Sequence, residues 1–179
     1  MNAKVQTQGI PRLTSFQLTS LVIVRILVGW HILYEGMVKL LSSNWSSAGF
    51  LMDSKWILAD FFQSMAAEPT TLSVVDTLNI WGLILIGLGL ILGAFTRMAS
   101  IAGALLLFFY YLSHPPLVGL SYALPSEGSY LIVNKTLIEA AVLLIMAAFP
   151  TGKYIGIDRI IDRIKGNPSP EEAEKEAVA

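Results

Sequence analysis

The sequence predicts an all-α fold: a polytopic membrane protein built as a four-transmembrane-helix bundle, with an interfacial amphipathic helix between spans one and two. Three observations lead there. Of 179 residues, 54% are hydrophobic and only 14% are charged, against about 25% charged in ordinary soluble domains. The mean hydropathy is +0.63. Four apolar stretches, residues 18–41, 78–95, 98–113 and 133–149, approach the ~20 residues that cross a bilayer core at about 1.5 Å each.

Residues 1–17 are polar, with Lys4, Arg12 and a Gly9-Ile10-Pro11 break. No short apolar run ends there in a small-residue cleavage site, so no removable leader is expected. Span one, 18–41, carries Arg25, His31, Glu35 and Lys39. A charge facing lipid at the bilayer centre costs roughly 2.5–3.5 kcal/mol on insertion scales. These four groups therefore need partners from other helices, or water. On a helical wheel Arg25, Gly29, Gly36 and Lys39 share one face, with Glu35 beside it and His31 further round. The glycines allow close helix approach. His31–Glu35 and Glu35–Lys39 are both i,i+4 pairs. Arg25 lies about 15 Å along the axis from Glu35, so it needs another partner or snorkels to the headgroups.

Residues 42–48 read as a capping turn. Over 49–67, Phe50, Leu51, Ile57, Leu58, Phe61, Phe62 and Met65 recur at helical spacing, interrupted by Asp53, Lys55, Asp60 and Gln63. This predicts one amphipathic helix, in the interface or packed as a lid, stopping near Glu68-Pro69. Span two, 78–95, is uncharged and thinned by Gly82, Gly87, Gly89 and Gly93. Thr96-Arg97-Met98 is a tight connection to span three, which ends at His114-Pro115-Pro116. Residues 115–132 form a loop. Span four opens with Asn134, Lys135 and Glu139 and breaks at Pro150-Thr151-Gly152. Ile157, Ile160, Ile161 and Ile164 alternate with Arg159, Arg163 and Lys165, a basic amphipathic helix over 156–165 suited to an anionic leaflet. Residues 166–179 read as a disordered acidic tail.

Lysine and arginine bias sets the orientation. Lys4, Arg12, Arg97, Lys153, Arg159, Arg163 and Lys165 fall on the side of both termini, which is therefore expected in the cytoplasm. Glu35, Lys39, His114, Asn134, Lys135 and Glu139 then meet just inside the outer interface, and Arg25 and Arg97 lie at the other end. Such a cluster either fixes which helices pack, through pairs such as Glu35–Lys39 and Lys135–Glu139, or forms a pocket for a polar head group. A quinone ring suits such a pocket: Glu35 or His114 handles the proton, while Lys39 or Arg25 steadies the anion. His31, Asn134, Lys135 and Glu139 complete the binding set.

A net charge of −1 gives no reason to expect nucleic acid, and the absence of cysteine excludes disulfides and thiolate chemistry on this chain. No metal site is expected from two histidines without a third ligand. No phosphate loop, dinucleotide fingerprint or Ser/His/Asp set is apparent.

Arg25-x3-Gly29 followed by Gly36-x2-Lys39 resembles the first-helix signature of the DoxX/DoxD family. Gly93-x2-Thr96-Arg97 and the Asn134-Lys135 start of span four are similar to it as well. The resemblance covers residues 18–155. It implies a small four-helix protein of the bacterial inner membrane. Some members are subunits of thiosulfate:quinone oxidoreductase, and others associate with redox-defence proteins. Carried over by position, it supports Arg25, Gly29, Gly36, Lys39, Arg97 and Asn134. The expected partners are the lipid bilayer, a soluble or periplasmic redox protein and further copies of the chain, with quinone as substrate. The competing expectation is a non-catalytic anchor for a partner protein.

Overall fold

The structure, a computed structural model, describes residues 13–123 and 131–166. The first twelve residues, the middle of the 115–132 loop and the acidic tail from 167 onward lie outside the described residues.

Among the described residues seven α-helices follow in order: α1 (Ser15–Leu41), α2 (Ala48–Met52), α3 (Ala59–Ala67), α4 (Pro69–Leu92), α5 (Thr96–Ser113), α6 (Lys135–Ala148) and α7 (Ile157–Ile164). Three of them, α1, α4 and α5, are long and apolar enough to cross a membrane. At 14 residues, α6 reaches about 21 Å. α1 opens with a reciprocal cap between Thr14 and Gln17.

α1 and α4 pack lengthwise and antiparallel. Gly29 faces Leu90 and Ile91, Gly87 faces Leu33, and Gly36 faces Leu83 and Ile84. A Cβ on Gly87 would sit 2.6 Å from the Leu33 backbone nitrogen, so the two backbones touch there. α5 and α6 form a second close pair, and α4 joins the pairs through α5. Ile32, Leu83, Ile86, Leu90, Ala104, Leu107, Ala140, Leu143 and Met146 make the core. Outward positions such as Leu27, Leu85, Leu105 and Leu144 are equally apolar and exposed, the pattern expected where lipid is the solvent.

Two expectations are corrected. The single helix over 49–67 is two short helices, α2 and α3. Asp53, Ser54 and Lys55 turn away to make polar contacts, and Trp56 adopts a φ of 81°, which no helix accommodates. Glu68-Pro69 does end a helix, as expected, since α3 stops at Ala67, but it also starts α4 directly. The Glu68 carboxylate accepts from Thr71 N–H at 2.9 Å, and Pro69 takes the first position, where a missing N–H costs nothing. Span two therefore begins nine residues before the predicted Leu78.

Candidate functional site

Among the described residues, the ionisable side chains expected in the bundle take part in three groups of contacts. The first lines the seam between α1 and α6, which touch only loosely. His31 Nδ1 lies 2.7 Å from Glu139 Oε1, near the middle of α1. The pair opens into a groove of about 460 Å³ lined by Val28, His31, Lys135, Ile138, Glu139 and Val142. Further along the same seam a second groove of about 320 Å³ runs between Phe16, Gln17, Ser20 and Leu21 on one wall and Ile145 and Phe149 on the other. Both grooves follow the α1–α6 seam, the first with ionisable side chains in its lining and the second lined mainly by apolar ones.

Glu35 and Lys39 lie next to this group. Lys39 donates to the Glu35 carboxylate at 2.8 Å and sits over the Trp45 ring. Lys39, His31 and Lys135 all act electrostatically on Glu35. His31 is thus paired across helices with Glu139, not along its own helix with Glu35. Asn134 caps α6, its side chain accepting from Leu137 N–H at 2.9 Å.

The second group surrounds His114. The imidazole is sandwiched between Phe50, stacked at 3.9 Å between centroids, and Tyr122 at 4.5 Å. The Ser113 hydroxyl lies 3.0 Å from His114 Nδ1. The Asp53 carboxylate lies 3.8 Å from Nε2, beyond hydrogen-bond reach, and accepts from Ala123 N–H at 2.7 Å. Ser113, His114 and Asp53 have the residue types of a hydrolytic triad. Ser113 is fully buried and shares its hydroxyl with Ser54, itself buried. No acyl group reaches it, so the set ties the α2–α3 lid to the end of α5. Burial holds the His114 pKa below the ordinary histidine value, while Asp53 works in the opposite direction. Burial, then Asp53, raises the Tyr122 phenol.

The third group holds Arg25, which is 2% exposed. Its guanidinium donates to the Thr151 hydroxyl at 3.0 Å and the Ile155 carbonyl at 2.9 Å. Asp158 accepts from the backbone N–H groups of Phe95 at 2.6 Å and Thr96 at 2.9 Å, and from the Thr96 hydroxyl at 2.7 Å. It therefore caps α5 from a distance, because Phe95, with a φ of 48° and an apolar side chain, does not. Gly93 takes a φ of 64° and meets Gly156 so closely that neither position has room for a Cβ. Arg25 thus finds its partners in the segment after α6, and neither snorkels nor joins Glu35.

The family model for DoxX matches residues 20–115, more than half of the chain. The chain belongs to the DoxX family. No curated protein and no solved structure matches it. The DoxX match contains Arg25, His31, Glu35, Lys39 and His114, whereas Lys135, Glu139 and Asp158 lie beyond it.

Asp53, Asp158 and Tyr122 were missed by sequence reasoning. Asp158 carried one usable signal: with Asp162 it is one of two acidic residues on a helix read as basic. Asp53 and Tyr122 carried none, since both lie in loops whose path only the packed lid defines. Among the described residues no group of three or more metal-ligating side chains occurs.

Proposed function

We propose that this DoxX-family protein is the membrane subunit of a quinone-linked redox system, with the quinone ring in the groove beside His31 and Glu139 on the α1–α6 seam. The observation that carries this reading is the His31–Glu139 pair, an ionisable hydrogen bond beside a groove with apolar walls. Ionisable pairs at such depth are costly and usually functional. The proton role expected of Glu35 and His114 moves to His31 and Glu139, because His114 is committed to the lid. The pair passes a proton to a quinone oxygen as electrons arrive from a soluble partner, and Lys135 steadies the anionic intermediate. Two electrons from that donor and two protons convert quinone to quinol. The apolar groove further along the seam accepts the hydrocarbon chain.

In this reading α6 is a fourth span. The segment leading into it lies beside Tyr111, whose hydroxyl donates to the Ile132 carbonyl at 2.8 Å, and the segment leaving it joins the Arg25 group through Thr151, so α6 with its flanking residues runs between the two ends of α5. Both termini then share one side, and the lysine and arginine bias makes that side the cytoplasm of a bacterial inner membrane.

The test is equilibrium binding of a short-chain quinone to the protein in lipid nanodiscs. Saturable binding is expected, weakened about 10- to 100-fold in Glu139→Gln, the worth of a hydrogen bond to a charged group. Absence of saturable binding to the unaltered protein overturns the reading.

A second reading, a non-catalytic anchor for a partner protein, is favoured by one observation. The lid exposes Met52, Trp56, Ile57 and Phe61 together, an apolar patch suited to docking or to the membrane interface. Serine substitutions at Trp56, Ile57 and Phe61 that release a copurifying protein while quinone binding stays absent would favour it.

A further inference from the structure

We propose that α7 is a docking surface for anionic phospholipids in the leaflet at the α4–α5 turn. α7 has no buried residue, and Ile157, Ile160 and Ile164 are exposed, Ile164 by 81%. An isoleucine face left bare by its own protein needs an apolar medium. Its position supplies one. Asp158 N–H donates to the Gly93 carbonyl at 2.9 Å, and Gly156 abuts Gly93, so α7 is fastened where α4 ends and α5 begins. That level is where acyl chains meet headgroups.

Charge selects the lipid. Arg97, Arg163 and Lys165 are exposed around this end. The nearby carboxylates are engaged: Asp158 caps α5, and Asp162 lies 3.7 Å from Lys153. The outward face is therefore positive beside an apolar strip, the arrangement that binds anionic interfaces. Each basic residue near an anionic surface is worth roughly fivefold in partition. The fastening is what makes the surface specific. Arg25, deep in span one, holds the Ile155 carbonyl just ahead of α7, so the helix is presented in one pose and does not trail on a tether.

The chain has no cysteine, so Ile164→Cys gives one attachment point for a polarity-sensitive fluorophore. The full-length protein is reconstituted in vesicles of phosphatidylcholine alone or with phosphatidylglycerol. The emission is expected to shift to the blue, and aqueous iodide quenching to fall several-fold, only when phosphatidylglycerol is present. Arg97→Gln, Arg163→Gln and Lys165→Gln combined should abolish that difference. A label at Ile23→Cys, on the exposed side of α1, reports correct insertion and should read the same in both lipids. Equal emission from Ile164 in the two lipids overturns the proposal, whether the label reads wet, covered by protein or dry.

Discussion

His114 is a neutral base wedged between two aromatic rings, and its surroundings make the lid sensitive to acid. The titratable and charged groups facing it are Asp53, Lys55 and Tyr122. Burial, the largest influence, depresses its folded-state pKa. The unfolded chain therefore takes up the proton first, near the ordinary value of about 6.5. Stability from this group is complete above that pH and is lost as pH falls below it. Protection factors of the amides in residues 42–68, taken relative to intrinsic exchange at each pH, should fall between pH 8 and pH 5 and lose most of that dependence in His114→Gln. An unchanged pH profile in the variant would assign the effect elsewhere. At the same scale, Arg25 and Asp158 act as structural ties. Each satisfies backbone or hydroxyl groups that burial would otherwise orphan.

Helix contacts here are set by the smallest side chains. α1 and α4 approach until Gly87 lies against the Leu33 backbone. Gly87→Ala should cost about 1–3 kcal/mol by overpacking and lower the Tm in detergent by several degrees. Gly82 meets nothing within 4 Å, so Gly82→Ala should be neutral or raise the Tm, by up to about 1 kcal/mol of helix propensity. Thermal unfolding of the two variants side by side separates contact from propensity, and equal losses in both would remove contact as the cause. The long helices were legible because an apolar run of sufficient length has few other options. The break between α2 and α3 was not. Apolar residues at helical spacing continue through it, but Ser54 is drawn to Ser113 and Asp53 to Ala123, contacts that exist only once the lid lies on α5.

At the scale of the molecule, the Arg25 group gathers the lower part of α1, the α4–α5 turn and the segment leading to α7 at one end, and the His114 group closes the other. A membrane-impermeant maleimide should therefore reach Lys165→Cys and Asn44→Cys from opposite faces of the membrane, Lys165→Cys from the cytoplasm. Labelling of both from the same face would rule out the bundle. Of the candidate site, the residue types were readable and the grouping was only partly so. His31, Glu35, Lys39, Lys135 and Glu139 do come together, because all sit toward one end of antiparallel helices. His114 makes a separate set of contacts, because the aromatic rings of Phe50 and Tyr122 enclose it.

By itself the sequence determined that this chain is a helical membrane protein of the DoxX type, with its long helices and its short basic helix, since run length and periodicity are properties of one dimension. Only the tertiary structure decided that His31 meets Glu139, that Arg25 meets the segment before α7, and that Asp158 caps a helix sixty residues away in the chain. Those pairings depend on the register and tilt of helices against one another, and a wheel drawn for a single helix holds neither.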